Sequence, residues 1–261
     1  MSPLHLEINN PRLTQLGVEA ITDFYQTMAT AQLNLPGLAA FVTGVDSPFL
    51  NVVIDTRVNQ TTEPQQIETI AAFFAGHQVP WVWFVEPVAH VTDLEQHGLR
   101  FLEEAPGMYF DLSQPLPTQQ AEFRIVEVAA NDDLHQWIEP LNEGFPSPDN
   151  GESYRQLNAN LLNTGETKLK HFIAYSDNDV AAAATLFLGK DAVMLHNLAT
   201  KLAYQKRGLG KALALHRMQV ARDLGYRHCF LDASEEGYQL HKRIGMQVYC
   251  LTRSYTLTDC K

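Results

Sequence analysis

Two glycines one residue apart, Gly208 and Gly210 in "QKRGLGKA" (Gln205–Ala212), stand between "AVMLHNLAT" and the helix-forming stretch "LALHRMQVARDLG". A glycine inside a helix costs about 1 kcal/mol relative to alanine, so a pair of them at a helix mouth needs a reason. A helix starts with amide N–H groups that have no intrahelical acceptor, and its dipole places partial positive charge there. A loop that gathers such amides is an anion site, and glycines let the backbone approach a phosphate with no Cβ in the way. Lys206, Arg207 and Lys211 add positive charge, while Leu209, Leu213, Met218 and Ala221 supply an apolar side for burial. Strand, glycine loop and helix in that order predict a phosphate cradle in an α/β fold.

Two nucleotide cradles fail on spacing. A P-loop requires GxxxxGK[ST], which does not occur, and the dinucleotide fingerprint requires a third glycine where only Lys211, Ala212 and Leu213 follow. Composition narrows the ligand further. The 261 residues carry a formal charge of −11, which argues against an extended nucleic-acid footprint but leaves room for one phosphorylated small molecule. With 45% apolar residues the chain can bury a sizeable core. Its histidines and cysteines form no HExxH and no tight cluster, so no metal site is expected. Cys229, Cys250 and Cys260 make no CxxC pair and fit reduced thiols. "MSPLHLEINNPRL" has neither a cationic nor an apolar signal region, and the longest apolar run, "VAAAATLFL", is too short for a bilayer. The expectation is a cytoplasmic protein with no membrane or nucleic-acid partner.

Prolines and polar residues in "SQPLPTQQ" (Ser113–Gln120) read as a linker, giving domains at 1–117 and 118–261. In the second, "FRIVEV" is a strand, and "NDDLHQWIEPLNEGF" (N-cap Asn131 or Asp132) and "GESYRQLNANLLNT" are helices. "KLKHFIAYS" and "DVAAAATLFLG" make a hairpin over "DND", "AVMLHNLAT" is a strand, and the glycine loop opens a helix that ends near Leu224–Gly225. "RHCFLDAS" (strand), "EEGYQLHKRI" (helix), and "MQVYCL" and "RSYTL" (strands) follow. In the first, "RLTQLGVEAITDFYQTMATAQ" is helical, "FLNVVIDTRV" a strand, "PQQIETIAAFFAGH" a helix from Pro64, and "VPWVWFVEP" a buried strand. "VTDLEQHGLRFLEEAPGMYFDL" then lies over "GYQLHKRIGMQVYCLTRSYTL", each as helix, glycine (Gly98, Gly245) and two strands, which reads as a diverged duplication.

Gln205-x-x-Gly208-x-Gly210 resembles the Q/R-x-x-G-x-G/A motif of the GCN5-related N-acetyltransferases (GNAT family), and residues 121–258 resemble that fold. "HNLAT" precedes the loop, a long helix follows it, "FLDAS" is the next strand, and "LHKRIGM" is similar to the family's "LYxxxGF". The resemblance implies a mixed, mostly antiparallel sheet flanked by helices, in tandem with a degenerate first copy. It also implies an acetyl-CoA-dependent N-acetyltransferase. Gln205, Lys206, Arg207, Gly208, Leu209, Gly210 and Lys211 would hold the diphosphate of acetyl-CoA, and main-chain groups of Leu198, Ala199 and Thr200 the pantetheine arm. A small-molecule or peptide amine would attack directly in a ternary complex of a monomer or homodimer. The alternative is a non-catalytic acyl-CoA-binding or sensing module.

Amine acetylation is helped by an acid for the leaving thiolate. Many members of the family use a tyrosine four residues before the glycine of "GF", a place occupied here by His241. Tyr238, three residues earlier on the same helix face, is the other candidate acid. His196 is the candidate base on the strand before the loop, with Asn197 on the opposite face if that strand is regular. The first half has no glycine loop and places Glu63 at the corresponding helix mouth, where negative charge repels a diphosphate. Its expected role is to bury one side of the second half and shape the acceptor cleft, with Trp81 and Trp83 in the core.

Overall fold

A computed structural model describes residues 10–55, 63–85, 91–118 and 123–257. The linker residues Gln119 and Gln120, most of the segment before Glu63, the ends of "FLNVVIDTRV" and "VPWVWFVEP", and Cys260 lie outside them. The chain forms two compact units, residues 1–107 with 248–261, and residues 108–247. These bounds differ from the expected division at 117/118, because the final strand groups with the first unit.

In the first unit, α1 (Pro11–Met28) starts on Asn10, whose side chain accepts from the amides of Arg12 and Leu13. β1 (Ala31–Leu35) and β2 (Leu38–Val42) form an antiparallel hairpin around Gly37, at φ +73°. Sequence reading carried the helix into this hairpin. β3 (Val52–Asp55) pairs antiparallel with β2 and parallel with β4 (Val82–Val85), joined to it through α2 (Pro64–His77). α3 (Val91–Gln96) precedes β5 (Leu99–Asp111), most of which lies in this unit. Trp81, Trp83, Phe74 and Tyr255 centre the core, with the Phe74 and Trp81 rings stacked at 4.7 Å.

In the second unit, β6 (Arg124–Glu127) leads to α4 (Asn131–Gly144) and α5 (Glu152–Asn163). The N-cap of α4 is Ala130, not Asn131 or Asp132. Asp133 Oδ2 accepts from the amides of Ala129 and Ala130, each at 3.3 Å, which moves the cap back one residue. β7 (Leu169–Ser176), β8 (Asp179–Leu188) and β9 (Ala192–Thr200) form an antiparallel meander. α6 (Leu209–Asp223) then crosses to β10 (His228–Asp232), parallel to β9, and α7 (Glu235–Ile244) follows. The strand order is β10-β9-β8-β7-β6. Fully buried Ala181–Ala184 on β8 present only methyl groups, so α4 and α6 pack close to the sheet.

The last segment is one strand, β11 (Gln247–Leu257), not two, and β5 is likewise continuous where two strands were expected. Nothing in "VYCLTRSY" marks a turn, and Pro106–Gly107, a turn signal in other settings, lies within the continuous extended backbone of β5. Both units otherwise carry the expected mixed, mostly antiparallel sheet flanked by helices. Among the described residues no helix is long and apolar enough to cross a membrane.

Candidate active site

β9 is irregular where it matters. Thr185 of β8 faces His196, but Ala183 faces Ala199, so β9 spends three steps against two on β8. This bulge falls at Asn197, which takes φ +54°. The parallel pairing with β10 covers only Ala192–Met194. Asn197 and Leu198 therefore have no register partner on either neighbouring strand, and β9 and β10 part beyond Met194. Asn197 does not simply face away from His196, as a regular strand would require. Its Nδ2 donates to the Tyr154 hydroxyl at 2.6 Å, and burial pushes that phenol up to about 12.

Beyond the strand, contacts fix the loop from below. Lys201 N donates to Ala181 O at 2.9 Å, and Lys201 Nζ pairs with Glu139 at 2.7 Å. Glu143 accepts from Leu202 N at 2.6 Å, and Tyr204 donates to Asp179 at 2.6 Å. Gln205 Nε2 reaches back to Thr200 O at 3.4 Å. Arg207 folds over the Tyr204 ring, 5.2 Å from its centroid, and donates to Ala203 O at 2.9 Å. Lys206 takes φ +61° and is exposed.

Gly208 is the N-cap of α6 at φ +96°, a conformation that costs an L-residue about 1–2 kcal/mol. No side chain caps this helix and no acidic residue sits in its first turn. Among the described residues the amides of Leu209, Gly210 and Lys211 have no acceptor, and intrahelical bonding begins with Ala212 N to Gly208 O at 3.0 Å. A Cβ on Gly210 would meet Leu240 Cδ2 at 3.4 Å and Thr200 Oγ1 at 3.7 Å. β9, α6 and α7 thus converge on a bare helix mouth beside the opened strand. Its uncapped donors and glycines fit a diphosphate.

The three candidates for proton transfer differ sharply in environment. His196 Nε2 is shut off from solvent, and burial, helped by the Arg217 charge, takes the imidazole down to about 3. His241 is buried on α7, and burial followed by the same charge takes it down to about 4. Tyr238 is half-buried, with Lys242 Nζ 5.7 Å from its ring centroid, and among the described residues its hydroxyl has no hydrogen-bond partner. Both histidines are neutral at physiological pH, which the sequence alone does not reveal. No group of His, Cys, Asp or Glu among the described residues could hold a metal ion.

Arg217 escaped the sequence reading. It is fully buried on α6 and donates through Nε to Leu213 O (3.2 Å) and through Nη1 to Thr185 O (2.7 Å) and His196 O (2.9 Å). Its signal was an arginine in the i, i+4 row between Leu213 and Ala221, on the apolar side of the helix.

Comparison with known proteins bears on this geometry. Residues 132–246 match the acetyltransferase (GNAT) family. No curated protein matches the chain in sequence. Among solved structures, a GCN5-related N-acetyltransferase from Kribbella flavida is similar over 96% of this chain and 97% of its own, with 14% identity and a TM-score of 0.72. A conserved protein of unknown function from Staphylococcus epidermidis is similar over 90% and 96%, with 11% identity and a TM-score of 0.66. A GCN5-related N-acetyltransferase from Sphaerobacter thermophilus is similar over 84% and 76%, with 16% identity and a TM-score of 0.58. At such identities the likeness is one of fold.

Proposed function

We propose that the chain, whose residues 132–246 match the acetyltransferase (GNAT) family, an acyltransferase family that uses acetyl-CoA as donor, acetylates a primary amine by direct attack in a ternary complex. The observation that carries the reading is the uncapped start of α6 at Gly208, Leu209, Gly210 and Lys211, set beside the stretch of β9 that leaves β10. The thioester supplies an activated acyl group, and the residues of the chain do the rest. Amides of Leu209–Lys211 hold the diphosphate, with Lys206 and Lys211 adding field. Gln205 and Arg207 chiefly brace the loop, since both side chains turn back onto it. Leu198, Ala199 and Thr200 hold the pantetheine arm through their backbone, and main-chain donors at the bulge polarise the carbonyl.

Tyr238 protonates the leaving thiolate. Its side chain is half-buried and its hydroxyl has no hydrogen-bond partner among the described residues, whereas His241, taken down to about 4 by burial, serves as a neutral hydrogen-bonding group. His196 at about 3 is too weak a base to deprotonate an ammonium, so the amine arrives neutral or sheds its proton to water.

The first unit is read as a degenerate copy. Meander, parallel β-α-β crossover, helix, glycine and long strand recur in both halves, with Gly98 at φ +83° and Gly245 at φ +101°. Its crossover helix α2 opens on Glu63 and Pro64 instead of glycines, which suits a scaffold and not a second diphosphate site.

Thiol release from acetyl-CoA, measured against polyamines, amino acids, aminoglycosides and peptide N-termini, tests the reaction. Turnover with at least one primary amine is expected. Tight acetyl-CoA binding with no thiol release for any class would instead assign a sensing module.

A further inference from the structure

Arg217 is a guanidinium with no exposed surface, and among the described residues it makes no ion pair. A buried, unpaired cation is expensive, and an apolar residue of similar size is the usual stabilising choice for such a helix face. What the arginine does there is specific. Its Nη1 donates to Thr185 O and to His196 O, the two facing residues from which the β8–β9 ladder goes out of step. Beyond that pair the bulge interrupts the ladder, and the two hydrogens of Nη1, fixed in the guanidinium plane while Nε holds Leu213 O, reach one carbonyl on each strand. Asn197 is held at φ +54°, with its own side chain tied to Tyr154. The bulge is therefore gripped at its carbonyls by α6 and at its side chain by α5.

We propose that Arg217 is a positioning residue for acyl transfer, pinning the carbonyls that flank the β9 bulge so that the backbone of Asn197 and Leu198 stays aligned with the reacting carbonyl. This rests on the acetyltransferase reading above. α6 thereby joins two tasks along one helix: its first turn holds the diphosphate, and two turns later its buried cation sets the strand on which the chemistry takes place.

The test uses Arg217→Lys and Arg217→Gln in the full chain, with three readouts. Calorimetry gives the affinity for CoA, amide exchange by mass spectrometry follows 195–199 and 207–211, and thiol release with the most active amine of the panel gives kcat and KM. In the variants, exchange over 195–199 is expected to rise about tenfold or more while 207–211 and the CoA affinity hold within about threefold. The rate kcat is expected to fall about a hundredfold, as for a misplacement of about 1 Å. Arg217→Lys should recover less than a tenth of the loss, since its charge remains but the Nε bond to Leu213 O and the fixed in-plane hydrogens of Nη1 are gone. Three results would overturn the proposal: kcat per folded molecule unchanged, CoA affinity lost in parallel with kcat, or neither variant folding. A wild-type protein that never turns over sinks the acetyltransferase reading instead, and is seen before any variant is made.

Discussion

Lys211→Glu separates the two roles of the α6 terminus, because stability and binding should move in opposite directions. Lys211 is the third residue of the helix, where no acidic group offsets the dipole, and its Nζ reaches only Thr118 O at 3.4 Å. Removing a cation and adding an anion there should each gain about 0.3–1 kcal/mol, or roughly 1 kcal/mol together at an exposed site. The melting temperature should then rise by about 2–4 °C. For a bound diphosphate the sign reverses. At about 6 Å in a water-like dielectric each pair of unit charges is worth ~0.7 kcal/mol. Reversing one charge against two negative charges therefore costs ~3 kcal/mol, which salt screening cuts about in half. The CoA dissociation constant should rise about tenfold at physiological salt, and more in dilute buffer. Thermal melts and calorimetric titration at two ionic strengths measure both. A higher melting temperature with unchanged CoA affinity would show that no diphosphate sits at this terminus.

Gly208→Ala should cost about 1–2 kcal/mol by thermal denaturation, because φ +96° strains an L-residue although only the Phe123 ring lies near the added methyl, at 3.8 Å. Tyr238→Phe should lower kcat by about a hundredfold with the CoA affinity unchanged, while His241→Gln lowers it far less; steady-state rates in which the two are reversed would make the histidine the acid. Burial also takes His171 down to about 3, so three neutral histidines lie inside the second unit. Their unfolded forms bind protons below about 6.5 and their folded forms do not until about 4 for His241 and about 3 for His171 and His196, so stability is full above about 6.5 and declines toward about 3. From pH 7 to pH 5 each should cost roughly 2 kcal/mol, readable in urea titrations, and a flat profile would contradict their burial.

How much of this was legible depended on how local the cause was. α2 and α7 were readable to the residue, since proline, glycine and capping groups mark their ends within a turn. So was β9, bounded by Asp191 and by the polar residues that follow Thr200. The β1–β2 hairpin was missed because "ATAQL" continues a helix-friendly composition although α1 ends at Met28, and the turn signal, Pro36–Gly37, comes only after the first strand of the hairpin. The glycine loop could be placed from sequence because amide donors and missing Cβ atoms are backbone properties. The proton donors could not be ranked the same way. His241 and Tyr238 share a helix face, and only packing, with Arg217 close enough to act on the imidazole, separates a buried neutral ring from a reachable phenol. The bulge at Asn197 likewise depends on the register of β8, which no residue of β9 announces.

Backbone amide spectra of the isotopically labelled protein, recorded as CoA is added, test the diphosphate cradle most directly. Saturable shifts concentrated at Leu209, Gly210 and Lys211, and absent at the start of α2, are the predicted result. Binding that leaves those three resonances unmoved, or no binding at all, would contradict it.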